Sequence, residues 1–207
     1  MVHRREIDGE EIIFGNQGAL WGNAMTWWDQ ETGSIWSQPI GEAILGPRKG
    51  QQVELLASSL TRWGPWREEH PQTLALDARG GFDGFALEQM ALVVDFGTEV
   101  AAYPVLRLQK VGVVNDVVAG AEVAVLIDPA DDQRWVVFSR RLDDVVVELT
   151  VVDGELVDAT SGTRFDPTRG IGRGGDLDGQ ILDILPAFTA FPEDVPTFWP
   201  EARFWQG

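Results

Sequence analysis

Residues 29–56, DQETGSIWSQPIGEAILGPRKGQQVELL, and residues 158–185, DATSGTRFDPTRGIGRGGDLDGQILDIL, read as two versions of one segment. Laid over each other at an offset of 129 residues they need no gap. Asp29 falls on Asp158, Gly33 on Gly162, Gly41 on Gly170, Gly46 on Gly175, Gly50 on Gly179, Gln51 on Gln180 and Leu56 on Leu185. Most of these shared positions are glycines. Glycine holds a fixed place where the backbone needs positive φ or close approach, so a common glycine frame predicts common turns. The Asp-x-x-Thr/Ser-Gly pattern that begins at Asp29 and at Asp158 reads as a hairpin turn held by side-chain hydrogen bonds.

Outward from that frame, Arg4-Arg5 precedes the first segment and Arg140-Arg141 precedes the second, at an offset of 136. The excess over 129 predicts seven additional residues in the first copy, within the Trp-rich stretch FGNQGALWGNAMTWWD at 14–29. The organisation expected is a first repeat half over 1–76, a linker or loop over 77–91, and a second repeat half over 92–207, packed together as one unit. The linker is placed on the glycine-rich, polar run DARGGFDG at 77–84.

Short runs rich in Val, Thr and aromatics, separated by Gly, Pro, Asp or Asn, give candidate strands at 11–15, 24–29, 35–38, 53–57, 92–96, 100–103, 123–127, 135–140, 145–151, 156–158 and 181–185. The fold class expected is therefore mainly β: an internally duplicated β-sandwich or barrel-like unit with a few short helices. Helical signals are confined to 61–70, with Thr61 as cap and Pro71 as terminator, to a turn at 85–90, and to 193–204, where prolines interrupt the pattern.

Composition excludes several classes of function. Sixteen basic against 33 acidic residues give a net charge of −17. Phosphate binding needs Lys and Arg to displace counterions, so nucleic acid is not an expected partner. The chain has no cysteine, which removes disulfides, Cys-ligated zinc and thiol nucleophiles. Its two histidines are His3 and His70, and His70 reads as a surface residue before a helix-ending proline. No cofactor and no metal are expected. No apolar run reaches the ~18 residues of a membrane span, and residues 1–11 lack the apolar region of a signal peptide. Localisation is otherwise open.

The run GNQGALWGNAMTWWDQETGSIWSQPIGEAILGP, followed by a Trp-rich segment ending in HPQT at 70–73, resembles the domain-of-unknown-function family 3179. Ala102-Tyr103-Pro104, Val114-Asn115-Asp116 and Phe138-Ser139-Arg140-Arg141 fall in that family's order, ahead of a second turn at 161–165. The resemblance implies an internally duplicated β-rich architecture and no established activity. Longer members carry a further stretch with a paired-cysteine motif. Here Asp128-Pro129 stands near where a Cys-Pro pair would be, so no metal or redox role carries over.

The richest chemical constellation lies in the first copy: Asn16, Gln17, Asn23, Trp27, Trp28, Asp29, Glu31 and Trp36. Trp beside amide and carboxylate groups is a common way to hold a sugar ring. The second copy carries plain aliphatics over much of the same ground. Trp27 and Trp28 are adjacent on one strand and face opposite ways. We take Trp28, with Asn16, Gln17, Asn23, Glu31 and Trp36, as the ligand-binding set, and Trp27 as core. Asp29 and Glu31 have acid/base spacing, but the recurrence of Asp29 as Asp158 points to a turn role. Asp176-x-Asp178-Gly179 opens like a calcium loop and lacks the remaining ligands. Asp128, Asp131 and Asp132 read as a solvated turn. The function expected is a non-catalytic module that binds a small ligand or a partner in a Trp-lined cleft of the first repeat. A hydrolase acting on a glycan or small polar substrate through Asp29 or Glu31 is the alternative. The partner is an unknown small molecule or protein, and self-association into a homo-oligomer remains open.

Overall fold

The computed structural model describes residues 1–75 and 86–207. The expected linker at 77–84 lies outside the described residues. Residues 87–91, which were also expected to belong to it, are packed: Leu87, Met90 and Ala91 are buried.

The first copy contains a small hairpin, β1 (Glu6–Ile7) with β2 (Glu10–Glu11), and a four-stranded meander. The meander runs β3 (Phe14–Trp21), β4 (Ala24–Asp29), β5 (Ile35–Ser37), β6 (Glu42–Leu45). Helix α1 (Trp63–Glu69) follows, and then β7 (Ala91–Asp95) and β8 (Val100–Pro104). Helix α2 (Val105–Val111) leads to the antiparallel sheet of β9 (Val113–Val118), β10 (Ala121–Asp128) and β11 (Asp131–Ser139). The second segment has the same order of elements: hairpin β12 (Arg141–Leu142) with β13 (Val145–Val146), then the meander β14 (Leu149–Val152), β15 (Glu155–Asp158), β16 (Arg164–Phe165), β17 (Gly172–Arg173). The chain finishes with β18 (Phe188–Ala190), α3 (Val195–Phe198) and β19 (Arg203–Phe204). Strands β18 and β19 flank β7 and β8 in one sheet of order β18-β7-β8-β19. The protein is mainly β, its sheets are predominantly antiparallel, and among the described residues no sheet closes into a barrel.

The two segments share turn hydrogen bonds and glycine conformations. Gly33 N–H donates to Asp29 O, and Gly162 N–H to Asp158 O, both at 2.9 Å. The bonds from Val53 N–H to Gly41 O and from Leu182 N–H to Gly170 O match in the same way. All four glycine pairs have positive φ, with Gly33 at 70° beside Gly162 at 69°. Core positions also correspond: Ile12 with Val147, Trp36 with Phe165, and Val53 with Leu182 are all buried.

The structure corrects the register ahead of these turns by one residue. Ile12 N–H donates to Arg5 O and Val147 N–H to Arg140 O, so Arg5 corresponds to Arg140 at an offset of 135. The buried pair Ile7 and Leu142 requires this alignment, because a slip of one residue turns every side chain to the opposite face. The β3–β4 hairpin is therefore six residues longer than the β14–β15 hairpin, not seven. Four of the added residues lengthen β3, with its register shift between Asn16 and Leu20, and two lengthen β4.

Sheet β9–β11 lies between two cores. One of its faces packs Val123, Val125 and Val137 against Leu92, Tyr103 and Leu108. The other packs Ala124, Leu126 and Phe138 against Leu149, Leu156 and Phe165 of the second copy. The β7–β8 pair is likewise covered on both faces, its outer face by Phe188 and Val195 with Leu55 and Trp199. Strands buried on both faces read as continuous apolar runs, as ALVV at 91–94 does. Arg62, not Thr61, occupies the N-cap position of helix α1 and makes no side-chain capping bond; the Thr61 hydroxyl accepts a hydrogen bond from Arg134 Nε at 3.0 Å.

Candidate functional site

The six residues expected to bind ligand do not converge. Trp36 is fully buried among Ile12, Ala43 and Val53. Its Nε1 donates to Asp29 Oδ2 at 2.8 Å, which makes it a core residue and not part of a surface. Asn16 is paired with Trp27 across the ladder, and Trp28 with Gly15 and Ile35. Directly opposed residues share a sheet face, so Asn16 sits on the face of Trp27 and away from Trp28. The Trp28 indole lies across Gly15, where a Cβ would stand 2.5 Å from Nε1.

Asn16 and Gln17 hold the β3 bulge together. Asn16 Oδ1 accepts from Gly18 N–H at 2.9 Å, and Gln17 Oε1 accepts from Ala19 N–H at 2.8 Å and from the Thr26 hydroxyl at 3.1 Å. Glu31 Oε1 accepts from Ile13 N–H at 3.1 Å. Asn23 occupies the tip of the β3–β4 hairpin at φ 66°.

Asp29 is buried, and both of its oxygens are engaged. Oδ1 accepts from Thr32 N–H and the Thr32 hydroxyl, each at 2.7 Å, while Oδ2 accepts from Trp36. Burial opposes its ionisation, but these hydrogen bonds, together with Arg48, outweigh burial and hold the carboxyl below its usual value. Asp158 repeats the turn through Ser161. Phe165 cannot donate as Trp36 does, and the other oxygen of Asp158 accepts from Glu148 N–H at 2.8 Å instead.

Of the six, Asn23 lines a cleft. It is a cavity of about 350 Å³ between the tip of the β3–β4 hairpin and the C-terminal segment. The three methionines of the chain, Met1, Met25 and Met90, all line it. Phe191, Phe198 and Trp199 supply aromatic surface opposite them. At the rim, Asn23 Nδ2 donates to both oxygens of Asp194, at 3.1 and 3.3 Å. Trp21 packs edge-on against Phe198 with ring centroids 5.4 Å apart. Trp199 is fixed from behind, its Nε1 donating to Asp95 Oδ2 at 2.8 Å. The sequence signals for this site were the small methionine inventory and the aromatic, proline-spaced segment at 191–199. Neither pointed to the other, because β18 brings them together only by pairing with β7.

A second polar cluster lies at the β10–β11 turn. Two of the three carboxylates expected in a solvated turn are buried, Asp128 at 5% exposed and Asp131 at 8%, beside Arg134 at 7%, while Asp132 is exposed as expected. Arg134 reaches Asp128 Oδ2 at 3.5 Å, Glu69 at 3.7 Å and the Thr168 hydroxyl. Burial pushes the Asp128 carboxyl above its usual range. Asp131 and Asp166 push the same way, and Ala130 N–H and Arg134 oppose it. Asp178 is committed to a turn, accepting from Gly174 N–H at 2.6 Å.

Tyr103, Asn115 and Asp116 make structural ties. The Tyr103 hydroxyl donates to Asp116 Oδ2 at 2.7 Å, and Arg203 Nη1 donates to the same oxygen at 2.9 Å. The Asn115 amide brackets Leu149, donating to its carbonyl at 2.7 Å and accepting from its N–H at 3.0 Å.

Residues 1–84 match the family model described as a protein of unknown function, DUF3179. The match covers the first copy and the stretch that follows it, and it bears out the resemblance read from the Trp- and glycine-spaced run. No curated protein and no solved structure matches the chain. Among the described residues no helix is long and apolar enough to cross a membrane.

Proposed function

We propose that this chain is an internally duplicated β-rich binding module whose first copy and C-terminal segment together hold a small, largely apolar ligand. The observation that carries this reading is the convergence of all three methionines with Phe191, Phe198 and Trp199 on one cleft. Ligand sites are concave and mostly apolar, with a few placed polar groups, and Asn23, Gln38, Thr189 and Asp194 provide those here. Methionine suits such a site because its unbranched thioether adapts to the shape it meets. Asp29 and Glu31 are occupied in holding turns, which supports binding over hydrolysis at that place.

The inventory of methionines also supplies the test. Protein labelled with ¹³C at the methionine methyls gives three resonances, each reporting on the cleft. Titration with a panel of small amphipathic compounds is expected to shift the Met25 and Met90 signals together. A compound that binds by calorimetry and leaves all three methyl signals in place would overturn the assignment of the cleft.

A further inference from the structure

We infer that the ligand held in this cleft is an apolar organic cation, a small alkyl- or arylalkyl-ammonium. This rests on the cleft reading above and adds the charge of its occupant. Among the described residues, Asp194 is the only charged side chain in the lining, which has no Lys, Arg or His. Its hydrogen bond from a side chain comes from a single amide nitrogen, Asn23 Nδ2, shared between its two oxygens. A carboxylate offers about four lone-pair positions, so the group retains acceptor capacity toward the cleft.

The amino terminus of Met1, itself a lining residue, is pushed toward its neutral form by burial. The walls next to Asp194 are aromatic: Phe198 and Trp199 stand four and five positions along the same segment and line the same space. Aromatic faces attract ammonium groups, and the thioethers opposite accept an aliphatic body. The surrounding field has the same sign, since a chain of net charge −17 concentrates cations at its surface and repels anions. A carboxylate-bearing ligand of the same shape would meet Asp194 with nothing to neutralise either group. A cavity of about 350 Å³ limits the occupant to a small molecule.

The experiment compares n-hexylammonium, 1-hexanol and hexanoate on the full chain, followed by the methionine methyl signals. Hexylammonium is expected to shift those signals and to bind at least tenfold more tightly than hexanol, with hexanoate weakest and the preference narrowing as NaCl rises. In Asp194→Asn, which keeps the size of the side chain and its bond to Asn23, hexylammonium and hexanol are expected to bind within about twofold of each other, while Asp194→Glu restores the preference. Equal binding of the amine and the alcohol to the unaltered chain, with methionine shifts, would overturn the cationic class and leave the cleft standing. Absence of methionine shifts with any of the three would overturn the cleft and the class together.

Discussion

Trp36 Nε1 donates to Asp29 Oδ2 at 2.8 Å in the core of the first copy, and Phe165 stands at the corresponding place in the second. One aromatic position thus serves packing in both copies and a hydrogen bond in only one. Replacing Trp36 by Phe leaves a buried carboxylate oxygen without its donor, which costs roughly 1–3 kcal/mol. Asp29 has a depressed pKa, so its ionised form stabilises the fold above the unfolded value of ~3.9, and that contribution is lost as pH falls through the folded value. The deficit of Trp36→Phe in urea unfolding is therefore expected to narrow at acid pH. A deficit independent of pH would assign the whole loss to packing.

Asp128 has the opposite sign. Its pKa is raised by burial, so the folded state holds the proton after the unfolded chain has lost it. Stability is expected to fall as pH rises from ~3.9 through the folded value of Asp128, where the penalty becomes complete. Asp128→Asn removes that slope. Denaturation midpoints from pH 4 upward check this, and identical slopes in the two proteins would place the titration elsewhere.

Two glycines with nearly equal backbone angles are expected to differ in tolerance. Gly33 has φ 70° and open space around it, so Gly33→Ala pays backbone strain alone, roughly 1–3 kcal/mol. Gly170 has φ 68°, and a Cβ there would stand 2.6 Å from Leu182 O and 3.0 Å from Phe138. Gly170→Ala adds overpacking to strain, roughly 2–6 kcal/mol in all. Thermal melts of the two variants rank them.

Asn115→Ala removes both bonds that bracket Leu149. At about 1 kcal/mol for each hydrogen bond, and more where a buried group is left unpaired, the loss is expected at roughly 2–4 kcal/mol. Amide hydrogen exchange checks the mechanism, since Leu149 N–H should lose protection more than Thr150 or Val151.

The turns were legible in the sequence because they rest on local chemistry. Asp29 and Asp158 bond to residues three positions on, and positive φ selects glycine whatever the surroundings. The register of Arg5 with Arg140 was less legible. Arg4, Arg5 and Arg141 are exposed and only Arg140 is buried, so the paired arginines carry no facial pattern to align. The buried state of Asp128 and Asp131 was hidden for a related reason: DPADD has the composition of a surface turn, and its cover comes from Arg134, Arg62 and Thr168, which are set by tertiary packing. Composition groups Trp28 with Asn16, while the ladder places them on opposite faces. The helix α2, VLRLQKV, was missed because seven residues show too little periodicity to separate a helix from a strand.

The sheet of order β18-β7-β8-β19 has a consequence for how the chain reaches its native state. Both strands that close its edges come from residues 188–204, and β19 pairs with β8 across about a hundred positions. Contacts so distant in sequence form slowly. During synthesis the apolar edges of β7 and β8 stay open until the entire second copy has left the ribosome. Open strand edges recruit other strands, so this interval leaves the nascent protein exposed to aggregation.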